Sequence, residues 1–281
     1  MTLNIAIAGA AGRMGRMLID TVTHRGDDMR LSGALEHDGF TQLGADAGAL
    51  SGVGELGVNI TADRAEAFAG ADVIIDFTLP DATLLNMQAA REQGAAVVLG
   101  TTGHDADQEG VILGFATDVP MIWAANYSLG VNLLLNLVER AAAALPEDFD
   151  IDILEMHHRQ KVDAPSGTAL VLGKAAAIGR GVDFDKVKRL SREGQTGARP
   201  SGEIGFATLR GGTVPGDHQV VFAGTDERIE IGHRAADRGI FAAGAVQAAA
   251  WMAGREPGLY TMNDVLGLAD WARLRPAAAP V

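Results

Sequence analysis

The chain has 281 residues, of which 47% are apolar and 21% are charged, enough for one large domain or two ordinary ones. It contains no cysteine, which excludes disulfides, thiolate metal ligands and cysteine nucleophiles. The formal net charge of −13 argues against nucleic-acid or anionic-membrane partners, although a local basic cluster could still bind a small anion. Because neither a secretion signal nor an apolar run of about 20 residues is visible, we expect a cytoplasmic protein outside the membrane.

The first half of the chain alternates apolar runs with amphipathic segments. The apolar runs predict buried strands over residues 3–8, 30–36, 71–77, 95–99 and 120–125. Helices are predicted over residues 12–23 and 80–93, and the second ends at Gly94. Strands that alternate with helices predict an α/β domain with a parallel sheet covered on both faces.

The pattern changes after Asn132. A helix is predicted over residues 131–144, and alternating polar and apolar residues predict strands over 150–158, 204–210, 218–223 and 228–233. These strands indicate a more open, mixed sheet in a second domain. The remaining predictions are a mobile loop over 191–205, an alanine-rich helix over 241–252 and a frayed tail over 275–281.

A glycine-rich turn, with Gly9, Gly12 and Gly15, joins the first predicted strand to the first helix. Such a turn lets the backbone approach a pyrophosphate, which the helix N-terminus then binds. The spacing is G-x-x-G-x-x-G, and Ala11 stands where the common dinucleotide-binding motif has its middle glycine. Because the chain has 36 glycines, this spacing alone is weak evidence for a dinucleotide site. The order of strand, turn and helix favours a dinucleotide site, while a packing turn is the alternative.

The next predicted strand ends at Glu36, where an acidic residue can bind the adenosine ribose hydroxyls. A plain surface glutamate is the alternative. A carboxylate here would favour NADH by repelling a 2′-phosphate, and His37 and Arg13 would partly offset this repulsion. The sequence therefore predicts NADH or NADPH as cofactor.

Polar turns follow three further predicted strands, at residues 76–78, 100–103 and 124–127. Ligands of open parallel sheets bind at the carboxyl ends of the strands. We therefore expect these turns to border a nicotinamide, although each could also be an ordinary connection.

A basic cluster lies in "EMHHRQKVDAPSGTAL", residues 155–170. His157 and His158 should face opposite sides of a strand, and Lys161 follows in a loop. Ser166 then opens a helix whose first amides, beside a lysine, suit a carboxylate or phosphate. A histidine there could transfer a proton near neutral pH, whereas a basic surface patch is the alternative. We expect no metal, because adjacent histidines on a strand have poor geometry for one ion.

Together these stretches resemble the dihydrodipicolinate reductase (4-hydroxy-tetrahydrodipicolinate reductase) family of bacterial lysine and diaminopimelate biosynthesis. The matching stretches run along nearly the whole chain: "GAAGRMGR", "DFTLPDATL", "GTTG", "AANYSLGVN", "HHRQKVDAPSGTA", "SREGQTG", "IGFATLRGG" and "RIEIGHRAADRGIFAAGA". The resemblance implies a homotetramer that reduces a cyclic imine dicarboxylate with NADH or NADPH. It implies a Rossmann-like dinucleotide-binding domain (1–126 and 239–281) and an α+β substrate-binding and tetramerisation domain (127–238) with a mixed, mostly open sheet.

The resemblance also assigns roles to single residues. His157 is similar to the family's acid–base residue, and Lys161 to a substrate contact and proton donor. His158 contacts substrate, and Gly167 and Thr168 bind a carboxylate through their backbone. The cofactor contacts that the resemblance implies are Gly9, Ala10, Ala11, Gly12, Arg13, Met14, Glu36, His37, Gly100, Thr101, Thr102, Ala124, Ala125, Asn126 and Tyr127.

Two other functions are alternatives to a reductase of this family, and one of them is not enzymatic. A semialdehyde dehydrogenase, another Rossmann-type enzyme, needs a cysteine nucleophile that the chain lacks. A non-catalytic dinucleotide sensor would keep the glycine turn and Glu36 but would not need the cluster from His157 to Lys161. Turnover distinguishes the reductase from the sensor.

Overall fold

The computed structural model describes residues 2–268, so the predicted tail at 275–281 lies outside the described residues. The described part divides into two compact units. The first comprises the residues up to Leu129 and those from Gly239 onward, and the second is Gly130–Arg238. Within residues 2–268, every helix is too short or too polar to cross a membrane.

A seven-stranded parallel sheet forms the centre of the first unit. Its strands are β1 (Leu3–Ala8), β2 (Met29–Leu35), β3 (Ile60–Thr61), β4 (Val73–Asp76), β5 (Ala96–Leu99), β6 (Pro120–Trp123) and β12 (Gly258–Tyr260). They lie in the order β12-β6-β5-β4-β1-β2-β3. This is the Rossmann order with one added strand, and its switch point lies between β1 and β4. The predicted α/β fold is confirmed.

Helices cover both faces of this sheet. They are α1 (Arg13–Thr23), α2 (Ala47–Ser51), α3 (Arg64–Phe68), α4 (Pro80–Gln93), α5 (Ala106–Phe115), α9 (Gly239–Met252) and α10 (Met262–Val265), with a short 3₁₀ helix at Gly26–Asp28. Alternate residues of β1 enter opposite cores: Ile5 and Ile7 join one cluster, and Ala6 and Ala8 join the other. Two buried faces explain why these strands read as continuous apolar runs.

The second unit contains a five-stranded mixed sheet in the order β11-β10-β7-β9-β8. Its strands are β7 (Asp150–His157), β8 (Lys188–Arg189), β9 (Ile204–Arg210), β10 (Asp217–Ala223) and β11 (Arg228–Arg234), and its helices are α6 (Leu129–Ala144), α7 (Gly167–Arg180) and α8 (Phe184–Val187). Buried and half-buried residues alternate along β7, and its buried Ile151 and Ile153 pack with Leu172 of α7. The helix α7 packs on the face that carries Ile151 and Ile153. The prediction of a mixed, mostly open sheet is confirmed.

The polar stretch over residues 191–205 has no helix or strand before Ile204. Two of its arginines bind β7: Arg192 Nη1 lies 2.8 Å from Asp152 Oδ1, and Arg199 Nε lies 3.0 Å from Asp150 Oδ1. Partly exposed pairs of this kind stabilise a fold by about 0–1 kcal/mol each. They tie the stretch to the sheet, and its mobility stays a prediction.

Candidate functional site

The glycine turn brings backbone amides to the carboxyl edge of the parallel sheet. Gly9 has a left-handed φ of 77°, and a Cβ there would lie 2.8 Å from the Phe77 carbonyl oxygen. A Cβ on Gly15 would lie 2.1 Å from the Gly9 carbonyl oxygen, so α1 packs against the turn only because this residue is glycine. Gly12 precedes α1 and offers no side-chain cap to its first amides. These donors and the helix dipole fit a pyrophosphate.

Glu36 follows β2 directly and turns toward the glycine turn. Its carboxylate accepts hydrogen bonds from the backbone amides of Ala11 (3.0 Å) and His37 (3.1 Å). A cavity of about 310 Å³ is lined by the glycine turn, Glu36, His37 and Arg64. Its size and position beside the switch point suit the adenosine half of a dinucleotide.

One buried carboxylate joins the turns that follow β4 and β5. Asp76 is 1% exposed, and it accepts hydrogen bonds from Thr78 Oγ1 (2.6 Å), Thr101 Oγ1 (3.1 Å) and Asn86 Nδ2 (2.9 Å). A Cβ on Gly100 would lie 2.3 Å from the Phe77 ring, which explains the glycine. The structure therefore brings two of the three predicted polar turns together.

The third polar turn, after β6, has mixed exposure. Ala125 is exposed and Ala124 and Asn126 are half-buried. The Tyr127 side chain is instead buried, with its hydroxyl 2.8 Å from the Leu99 carbonyl oxygen, and burial raises its pKa well above the ordinary value. Tyr127 thus packs beneath this edge.

The remaining predicted cofactor contacts differ in accessibility. Ala10 is fully buried, whereas Ala11 and Met14 are half-buried. Arg13 and Thr102 are exposed. Of these residues, Arg13 and Met14 begin α1, beside the proposed pyrophosphate site.

In the second unit, Glu155 and His157 form a pair on β7. Glu155 Oε2 lies 2.6 Å from His157 Nδ1, and Glu155 Oε1 accepts the Ser166 amide at 3.0 Å. The Arg210 guanidinium binds both carboxylate oxygens, at 2.8 and 2.9 Å. Burial alone would raise the pKa of Glu155, but hydrogen bonds from Arg210, His157 and Ser166 outweigh it and lower the pKa. Glu155 is therefore a carboxylate at neutral pH.

This carboxylate fixes the tautomer of His157. With Glu155 as acceptor, Nδ1 carries the hydrogen and Nε2 is left for chemistry. Nε2 faces Gly216, where a Cβ would lie 3.0 Å away. The neighbouring His218 ring lies 5.1 Å from the His157 ring, and burial, assisted by His157, lowers the pKa of His218 to about 4. His218 is therefore neutral at pH 7. Across residues 2–268, no three histidine or carboxylate side chains gather to hold a metal ion.

The other residues of the basic cluster lie around the start of α7. Lys161 Nζ lies 2.8 Å from Asp163 Oδ1, and this hydrogen bond lowers the pKa of Asp163. His158 is half-buried just beyond β7. Gly167 and Thr168 begin α7, and a Cβ on Gly167 would meet no atom within 4 Å, so packing does not require this glycine. Because the space around Gly167 is open, an anion can reach the backbone amides at the start of α7.

Sequence reasoning missed three side chains here. Glu155 lies two residues before His157, hence on the same face of β7, and this spacing was an available signal. Arg210 and His218 come from β9 and β10, and only the strand register brings them to β7.

A sheet in the Rossmann order with a glycine turn, and a histidine paired with a buried carboxylate in the second unit, are typical of dinucleotide-dependent oxidoreductases. The family profile "Dihydrodipicolinate reductase, N-terminus" matches residues 3–127, and "Dihydrodipicolinate reductase, C-terminus" matches residues 130–266. The chain belongs to the dihydrodipicolinate reductase family, as its motifs predicted.

Known proteins agree with this assignment. A 4-hydroxy-tetrahydrodipicolinate reductase of Afipia carboxidovorans is 55% identical over 266 residues, covering 95% of this chain and 97% of that protein. The reductase of Alkalilimnicola ehrlichii is 53% identical over 95% of this chain and 100% of its own length. The solved dipicolinate-bound dihydrodipicolinate reductase of a Paenisporosarcina species aligns with a TM-score of 0.75 at 25% identity, covering 93% of this chain and 98% of that one.

Proposed function

We propose that this chain reduces 4-hydroxy-tetrahydrodipicolinate (dihydrodipicolinate) to tetrahydrodipicolinate with NADH or NADPH, in lysine and diaminopimelate biosynthesis. The buried Glu155–His157 pair carries the proposal, because a dinucleotide sensor has no use for an acid–base group. The relatives named as this reductase span 95% of the chain, which supports the same reaction.

The first unit would hold the dinucleotide. The amides that follow Gly9 and Gly12 would bind the pyrophosphate, and Glu36 would exchange its present amide donors for ribose hydroxyls. The crowding at Gly9 and Gly15 fits this role, since a side chain there would disrupt the turn. When bound, the reduced nicotinamide supplies the hydride.

The second unit would hold the substrate by its two carboxylates. The amides of Gly167 and Thr168 at the start of α7 suit one carboxylate. Lys161, with His158, would bind the substrate through positive charge and hydrogen bonds, which lowers the cost of bringing a dianion to an acidic protein. The dipicolinate bound by the Paenisporosarcina reductase is likewise a dicarboxylate.

His157 would move the proton. In its charged form, the imidazole would transfer the proton on Nε2 to the nitrogen or enamine that develops on reduction, with Lys161 as a further donor. Glu155 stabilises the charged imidazole and keeps its ring in place, and Arg210 balances the Glu155 charge. His218 stays neutral, so it does not compete for this charge.

We further propose a cytoplasmic homotetramer that assembles through the open face of the second sheet. On that face, Leu154 and Met156 of β7 lie beside Ala207 and Leu209 of β9 in the strand register, so four apolar residues adjoin one another. Contiguous apolar side chains on a soluble protein mark interaction surfaces. Light scattering of the full chain should give four times the mass of 29.2 kDa; a monomer would reject this assembly.

A coupled assay tests the reaction. Dihydrodipicolinate synthase generates the substrate in place, and loss of nicotinamide absorbance is followed with NADH and NADPH in parallel. Substrate-dependent oxidation is expected. Its absence with both cofactors, from folded protein that still binds dinucleotide, would favour the sensor.

A further inference from the structure

We propose that Arg64 binds the 2′-phosphate of NADPH, so that the first unit accepts this cofactor despite the carboxylate of Glu36. The inference rests on the proposed function, since it concerns the cofactor of the same reaction. Arg64 lies outside the glycine turn, the polar turns and the basic cluster.

Arg64 lies in the proposed adenosine cavity. It is half-buried at the start of α3 and lines the same space as Glu36 and His37. In a dinucleotide bound at this edge, Glu36 would contact the ribose hydroxyls. A cation in the same cavity is therefore within the region where a 2′-phosphate would lie.

The Arg64 guanidinium is bound by the buried Asn86 side chain, which Asp76 holds in turn. Its Nε donates to Asn86 Oδ1 at 2.8 Å, and Asn86 Nδ2 donates to Asp76 Oδ2 at 2.9 Å. Asn86 is 2% exposed and Asp76 is nearly as buried. This chain of hydrogen bonds uses only the Nε side of the guanidinium and limits its rotation.

The Arg64 guanidinium forms no ion pair in the described part of the chain. No carboxylate between residues 2 and 268 forms an ion pair with it within 4.0 Å. Glu36, in the same cavity, uses its oxygens for the amides of Ala11 and His37. An arginine is permanently charged and binds phosphate through two parallel N–H groups. In a chain of net charge −13, an arginine without an ion-pair partner is suited to a phosphate.

Arg64→Gln tests the proposal, and Arg30→Gln is its matched control. Arg30 also donates from Nε to an asparagine, Asn4 Oδ1 at 2.7 Å, but it lies outside the adenosine cavity. Dissociation constants for NADPH and NADH are measured by nucleotide fluorescence on the full chain, with kcat/KM in the coupled assay. Arg64→Gln should weaken NADPH binding about 10- to 100-fold and leave NADH binding within about threefold, as loss of a charge-assisted bidentate contact predicts. Arg30→Gln should change neither cofactor.

A second variant covers the case in which Arg64→Gln does not fold. Arg64→Lys keeps the charge but not the paired donors, so it should lose part of the NADPH affinity and none of the NADH affinity. Equal losses for NADPH and NADH would overturn the proposal, because Arg64 would then contact the adenosine that both share. Unchanged NADPH binding would overturn it too. Lack of turnover with both cofactors, while NADPH binding stays dependent on Arg64, would count against the reductase alone.

Discussion

Replacing Glu155 by glutamine should destabilise the proposed acid–base site, although the two side chains have nearly the same size. Four donors point at the two carboxylate oxygens: the Ser166 amide, His157 Nδ1 and two guanidinium nitrogens of Arg210. A glutamine side chain has one acceptor oxygen, and its NH₂ group would face two of these donors. Breaking a buried ion pair by removing one partner costs about 3–5 kcal/mol. We expect a loss of this size in the free energy of unfolding, measured by urea denaturation and far-UV circular dichroism.

The same change should lower kcat. Without the carboxylate, His157 loses the partner that fixes its tautomer and stabilises its charged form. Removing the carboxylate behind a catalytic histidine can lower kcat by up to about 10⁴-fold, so a drop of at least about 10²-fold is expected here. The alkaline limb of the kcat–pH profile should also move to lower pH, a shift that a purely structural role would not produce.

The stability effect has a defined pH dependence. The pKa of Glu155 is lowered in the folded protein, so its contribution is present above the ordinary value of 4.5 and is lost as the pH falls through the lowered value. The stability difference between wild type and Glu155→Gln should therefore shrink in acid. Glu139→Gln, an exposed change on α6, is the control and should alter neither stability nor kcat. A Glu155→Gln variant with wild-type kcat and an unmoved pH profile would refute the positioning role.

Three further variants test neighbouring features. Gly216→Ala places a Cβ 3.0 Å from His157 Nε2, so kcat should fall while the dissociation constant for NADH, measured by fluorescence, stays unchanged; a normal kcat would show that Nε2 is not the working atom. Tyr127→Phe removes a buried hydroxyl that bonds the Leu99 carbonyl, and urea denaturation should show a loss of about 1 kcal/mol; equal stability would contradict the hydrogen bond. Lys161→Ala should raise KM for the dicarboxylate and lower kcat in the coupled assay, and wild-type kinetics would remove Lys161 from the site.

The strands of the first unit were predictable because they are buried on both faces. A continuous apolar run such as residues 95–99 is typical of a strand that is buried on both faces of a parallel sheet. The helices α2, α3 and α5 were not predicted. The first two have only five residues and depend on tertiary packing. The third begins at a capping box of Asp105 and Gln108, a signal that the sequence contains.

The candidate site was predictable where its residues are contiguous. The segment from His157 to Thr168 places its groups through local strand, loop and helix geometry. Arg210 reaches Glu155 only through the pairing of β7 with β9, and Arg64 reaches the adenosine cavity only through α3 and Asn86. Contacts of this kind depend on strand register and packing, which spacing along the chain does not reveal.

Kinetics of His157→Ala test the central claim most directly. In the coupled assay, with dinucleotide and substrate varied separately, kcat should fall by about 10²-fold or more while both KM values change by less than about threefold. That result would make His157 the group that transfers the proton. An unchanged kcat, from a variant that folds and binds NADH normally, would contradict the acid–base role and the mechanism built on it.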